Sequence, residues 1–245
     1  MRQPLAARTF ETFGADHLAL VGLALVGAAA AVWWGRRLRA RGVEPSSLRR
    51  TDRGVALLLV AVTAPLQVLQ WLPGEWSLAT SLPIQLCDLS WMLAALALWT
   101  RDPRAVQLLY YWGLTLVPQA ILTPDLVEGF PHPRYLMFWG MHLLVVWVAA
   151  YLSWGPGARF TWRGYRLAVL VTLGWAASVM ALNAAIGTNY GFLNAKPRGA
   201  SALDLLPEWP TYVVVELLVV AAVWALMTLP WIRSRRGQGA TLVGS

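Results

Sequence analysis

Seven apolar stretches alternate with short polar connections along the chain: Leu18–Trp34, Val55–Leu72, Ile84–Trp99, Val106–Leu122, Tyr135–Trp154, Leu167–Ile186 and Tyr212–Ile232. At 1.5 Å of rise per residue, about 20 helical residues cross a hydrocarbon core. Most of the stretches reach that length; the third and fourth need flanking residues or shielding by neighbouring helices. Helix is the only open-chain solution in lipid, because each backbone N–H and C=O must find its partner within its own segment. The pattern therefore predicts an all-α fold, a polytopic membrane protein built as a bundle of seven transmembrane helices.

Composition agrees. Of 245 residues, 58% are hydrophobic and 13% charged, and the mean hydropathy is +0.52. One soluble core of this length cannot hide so much apolar surface. The formal net charge of +8 does not point to nucleic acid, because the basic residues lie in short runs between apolar stretches. Arg36 to Arg53 carries seven arginines; Arg101 and Arg104, then Arg159, Arg163 and Arg166, and finally Arg233, Arg235 and Arg236 occupy alternate connections. Arg2, Arg8, Arg134, Lys196 and Arg198 fall in the others. Positive residues stay cytoplasmic, so the N-terminus is expected outside and the C-terminus in the cytoplasm.

The same reading divides the chain into a short outer segment (1–16), the seven-helix domain (17–232) and a disordered cytoplasmic tail (233–245). It expects multi-pass insertion in the cell inner (plasma) membrane. The basic cluster follows the first apolar stretch instead of preceding it, so a retained helix is expected there and not a cleaved signal. Fifteen tryptophans are present. Trp33, Trp34, Trp71, Trp76, Trp99, Trp154, Trp209 and Trp231 stand at span ends, as an interfacial aromatic belt does.

The rare reactive side chains gather on the outer side of this topology. Cys87 and Asp88 lie near the outer end of span three, His142 about two turns into span five, Asn183 near the end of span six and Glu216 about one turn into span seven. Each has an ordinary explanation. A lone cysteine is a small hydrophobe, a histidine can be buried in a helix contact, and an asparagine is interhelical glue. An intramembrane carboxyl is costlier and marks a cavity or a partner. Their common depth predicts one outward-facing polar cavity. Cys87 and Asp88 are adjacent and point about 100° apart, so a base for the thiol is expected from another helix, with His142 best placed. A thiol beside a histidine can attack an ester to give a thioester, with backbone or Asn183 N–H groups as oxyanion donors. Metal binding is the competing use of Cys, His and Asp, but no HxxxH or CxxC spacing is present. No metal and no cofactor is expected.

Four separated signatures recur in order: Leu82-Pro-Ile-Gln-Leu-Cys-Asp-Leu89, Leu122-Thr-Pro-Asp125, Phe130-Pro-His-Pro-Arg134 with His142 following, and Gly187-Thr-Asn-Tyr-Gly-Phe-Leu193 with Lys196-Pro197. As a set, from Phe13 through span seven, they resemble the bacterial YwaF-like integral membrane proteins, which are similar to the eukaryotic transmembrane protein 164 family. The resemblance implies a phospholipid acyltransferase in which Cys87 and His142 match the catalytic cysteine and histidine. It implies a histidine where this chain has Gln85.

The expected activity is therefore transfer of a fatty acyl chain between phospholipids and lysophospholipids through a cysteine thioester. Gln85, Asp88, Asp125, His132, Asn183, Asn189, Lys196 and Glu216 are expected around the substrate, with Asp88, Asn183 and Glu216 positioning the head group or orienting His142. Two other classes compete: a small-ligand binding or transport protein using the same cavity through Asp88 and Glu216, and a structural subunit of a larger complex. The sequence leaves the oligomeric state open.

Overall fold

A computed structural model describes residues 9–197 and 201–241, and it is helical. The helices are α1 (Ala15–Ala40), α2 (Pro45–Leu69), α3 (Leu86–Thr100), α4 (Pro103–Leu122), α5 (Pro133–Trp154), α6 (Trp162–Ile186) and α7 (Thr211–Thr241). Six of them are long and apolar enough to cross a membrane, and α3, with 15 residues, is the shorter apolar one. The protein is thus a multi-pass membrane protein with an all-helical body. Among the described residues the only β pairing is an isolated bridge between Thr9 and Glu128, with Phe10 N–H donating to the Val127 carbonyl at 2.8 Å.

Helix boundaries depart from the apolar stretches where polar residues still favour helix. Pro45 opens α2 ten residues before the apolar run, because proline fits a first helical turn, where its missing N–H is not needed. α1 likewise runs past Trp34 to Ala40. α3 begins at Leu86, not Ile84. α7 continues as helix to Thr241, into the segment expected as a tail; residues 242–245 lie outside the described residues.

Consecutive helices run in opposite directions, and tertiary bonds set their register. At one end, Arg101 after α3 pairs with Asp52 near the start of α2; its Nε donates to Asp52 Oδ2 at 2.6 Å. Tyr151 near the end of α5 donates to Asp52 Oδ1 at 2.8 Å. At the other end, His17 at the start of α1 donates from Nε2 to the Ile121 carbonyl of α4 at 2.8 Å and accepts from Phe13 N–H. The arginine runs collect at the first end; the opposite end carries the loops before α3 and after α6.

α5 is the central helix, with both faces largely buried. Small residues let its neighbours approach. Gly27 of α1 lies against the Trp147 indole, Gly35 against Gly155 and Tyr151, and Gly113 of α4 against Ala149. In lipid such contacts substitute for the hydrophobic drive that water would supply. α4 widens to a π turn over Trp112–Leu116 just before Pro118. Proline lacks an N–H and its ring crowds the carbonyl four residues back, and the wider turn accommodates both. Thr115 there accepts from the Trp224 indole of α7 at 2.9 Å. Leu25, Val26, Leu57, Leu58, Leu170, Leu218 and Leu226 are exposed and apolar, as a lipid-facing perimeter requires. Trp33, Trp34, Trp71, Trp76, Trp99 and Trp209 are also exposed.

Candidate functional site

The site is built on the short length of α3. Fifteen residues span about 22 Å, and the chain reaches the helix through a non-helical segment. Buried irregular backbone is tolerated only where protein satisfies its polar groups, and four bonds do so here. Leu82 N–H donates to the Tyr190 hydroxyl at 3.0 Å. The Ile84 carbonyl accepts from the Trp175 indole at 3.0 Å. Gln85 N–H donates to Asp88 Oδ2 at 3.2 Å. Gln85 Oε1 accepts from Gly191 N–H at 2.8 Å. Tyr190 in turn donates to the Leu78 carbonyl at 2.6 Å; burial holds its phenol above the ordinary range, so it stays a donor.

Cys87 follows in the first turn of α3. Its Sγ lies 3.1 Å from His142 Nε2, across the α3–α5 contact. The His142 ring is 2% exposed, and Phe138 packs on it with centroids 4.1 Å apart. His142 Nδ1 is bonded to the Phe138 carbonyl one turn earlier. A carbonyl only accepts, so Nδ1 carries the ring proton and Nε2 is left as the acceptor for the thiol. The expected partnership of Cys87 with a histidine from another helix is therefore present in the geometry. The orienting group is a backbone carbonyl, where the sequence suggested Asp88, Asn183 or Glu216.

The remaining candidates separate into two groups. Asp88, 6% exposed, caps α3 by accepting from Gln85 N–H, a capping box that ties the thiol's helix to its entry loop. Gln85 is a tether to Gly191, so the departure at this position leaves the Cys87–His142 pair intact. Asn183 is saturated by its own loop. Its Nδ2 donates to the Tyr190 carbonyl and Asn194 Oδ1, both at 2.9 Å, and its Oδ1 accepts from the Thr188 hydroxyl and from Tyr190 N–H, both at 2.8 Å. It has no N–H left for an oxyanion. Asn189 does the same work, accepting from Asn194 and Ala195 N–H and donating to the Ala195 carbonyl. The left-handed turns that these asparagines brace fall at Gly187 and Gly191, with φ of +69° and +67°, a region glycine enters without strain.

Lys196 donates to the Leu206 carbonyl at 2.9 Å and reaches Glu208 at 3.4 Å, closing the loop that leads to α7. His132 caps α5 by accepting from Arg134 N–H at 3.2 Å. Asp125 is exposed and has no side-chain partner among the described residues. Glu216 is half-buried on α7. The structure thus brings Cys87 and His142 together and gives Gln85, Asp88, Asn183 and Asn189 to the scaffold that holds them. Among the described residues no three His, Cys, Asp or Glu side chains converge to hold a metal ion.

Two features escaped the sequence reading. Asp52, buried with Arg101 and Tyr151, sits in a stretch whose arginines mask it as an ordinary charged connection. Gln67 of α2 is 4% exposed, and its Oε1 has no partner. Helical spacing from Asp52 through Ala56, Leu59 and Thr63 to Gln67 was the available signal.

The TMEM164 family model matches residues 12–228, which covers α1 to α6, the first part of α7 and every residue of this site. The chain belongs to the TMEM164 family. Neither a curated protein nor a solved structure gives a significant match. Cys87 and His142 both fall within the segment that the TMEM164 family model matches.

Proposed function

We propose that this TMEM164-family protein is a membrane-embedded acyltransferase that moves a fatty acyl chain between phospholipids through a thioester on Cys87. In this reading α3 is a short seventh span, the arginine-rich end is cytoplasmic, and the Cys87–His142 pair opens toward the outer leaflet of the plasma membrane. The observation that carries it is the 3.1 Å approach of His142 Nε2 to Cys87 Sγ, with the other ring nitrogen anchored on the Phe138 carbonyl.

The chemistry balances with these two groups. His142 Nε2 takes the thiol proton as sulfur attacks the ester carbonyl of a diacyl phospholipid. The tetrahedral centre collapses, the carbon–oxygen bond to the glycerol breaks, and the leaving alkoxide recovers the proton from Nε2. A lysophospholipid is released and the acyl chain stays on sulfur. The acceptor lysolipid's hydroxyl then repeats the steps in reverse, giving its proton to His142 and taking the acyl group. The transport alternative is supported less well, because Asp88, its best coupling carboxylate, is engaged in capping α3.

The test is kinetic. Purified protein given labelled phosphatidylcholine and a lysolipid acceptor is expected to give parallel double-reciprocal lines, the ping-pong pattern, with label on protein when acceptor is withheld. Intersecting lines with no protein-bound label would overturn the thioester route.

A further inference from the structure

The dyad supplies a nucleophile and a base but leaves open what stabilises the negative oxygen when the ester carbonyl becomes tetrahedral. Asn183, the side chain that the sequence suggested, is committed elsewhere. Two other donors stand at the right level.

The first is the backbone N–H of Cys87. The first four N–H groups of a helix have no intrahelical partner. In α3 the Asp88 and Gln85 side chains form a capping box, and Leu89 N–H returns to the Gln85 carbonyl. Among the described residues no other residue accepts from Cys87 N–H. This group lies beside the thiol, at the positive end of the helix dipole.

The second is the Gln67 carboxamide. α2 packs chiefly against α3 and α5, and Gln67 is on its buried stripe, 4% exposed. Two independent registers place it at the depth of the dyad. The Asp52–Arg101 pair anchors α2 to α3. Counting from it, Gln67 is about 22 Å along α2 and Cys87 about 21 Å back along α3. Between α2 and α5, Val62 lies against Gly140, and Gln70 Nε2 reaches Met137 Sδ at 3.3 Å. Gln67 falls between those contacts, level with the turn of Phe138 that holds His142. Its Oε1 is buried without a partner among the described residues, and half a turn of the carboxamide puts its N–H in the same place. A buried carboxamide oxygen without a partner is destabilising. Its presence at this level, on a helix packed against both that carry the thiol and the imidazole, fits a group held for a ligand.

We propose that the Gln67 carboxamide N–H and the Cys87 backbone N–H together bind the oxyanion formed when Cys87 attacks a lipid ester carbonyl. The inference rests on the thioester reading above. As the S–C bond forms, the carbonyl π pair moves to oxygen, and the two N–H groups receive that charge. As the C–O bond to the glycerol breaks, the pair returns and the donors are released. Gln67 is then the third residue touching the reacting atoms, contributed by a third helix.

The experiment compares two reactions of the same sulfur in wild type, Gln67→Met and Gln67→Ala. Acylation by labelled phosphatidylcholine passes through an oxyanion; alkylation by iodoacetamide does not. The expected result is a loss of about 10²–10³-fold in acylation rate, with alkylation of Cys87 within twofold of wild type. Unchanged acylation in Gln67→Met overturns the proposal. So does a parallel fall in both reactions, which marks a packing role. Normal alkylation with no acyl-Cys87 even in wild type overturns the thioester reading itself, and this inference with it.

Discussion

Cys87→Ala is expected to abolish acyl transfer, and His142→Ala to lower it by about 10²–10⁴-fold. The asymmetry follows from the geometry. Without sulfur no covalent intermediate forms. Without the imidazole, the thiol loses the acceptor that lies 3.1 Å away, and among the described residues no other side chain bonds Sγ to take its place. The double variant is expected to be no slower than Cys87→Ala alone, because groups acting as a unit are not additive. Transfer of labelled acyl chain from phosphatidylcholine to lysolipid in proteoliposomes measures all three. Wild-type rates in either single variant would remove the dyad from the mechanism.

The largest stability effect is expected at the opposite end of the bundle. Asp52 is 1% exposed and Arg101 22%, and Tyr151 completes the cluster by donating to Asp52 Oδ1. Breaking a buried pair leaves the remaining charge unpaired, which costs about 3–5 kcal/mol. The cost is unequal here. Arg101→Ala strands a fully buried carboxylate with only the Tyr151 hydroxyl, whereas Asp52→Ala strands a guanidinium that still reaches solvent. Arg101→Ala is therefore expected to lower the thermal unfolding midpoint in detergent more than Asp52→Ala. Asp52→Leu combined with Arg101→Met is expected to cost less than Arg101→Ala alone. Equal effects of the two single alanine variants would contradict this account of the cluster.

Much of the architecture was legible because lipid imposes a simple grammar. Apolar runs near 20 residues appear as α1, α2, α5, α6 and α7 in their expected places, the short fourth run extends through flanking residues as α4, and the short third run appears as the short helix α3. Boundaries moved where polar residues kept the helix going, as at Pro45–Arg53, since hydropathy marks what faces lipid and not where backbone bonding stops. The Cys87–His142 pairing was legible for a different reason: two rare reactive residues on separate helices fell at one depth.

The roles of Asn183, Asn189 and Asp88 were not legible. Depth says that a polar side chain is near a cavity, but not whether its donors are already used. Asn183 spends its full capacity on the loop 188–194, and only coordinates reveal that. Gln67 was missed for the converse reason. Its neighbourhood reads as ordinary apolar helix, and its importance depends on which helices α2 packs against. Asp52 was hidden among the arginines that set topology. In each case the missing information was the partner across a helix interface, which period and hydropathy along one strand of sequence do not encode.

The central claim is a covalent acyl group on one sulfur, and intact-mass analysis of protein incubated with a defined diacyl phospholipid reads it directly. The account predicts a mass increment of one fatty acyl chain, carried by the peptide containing residue 87, labile to hydroxylamine and lost on adding a lysolipid. An unshifted mass in protein that nevertheless transfers acyl chains, or an increment on another residue, would contradict it.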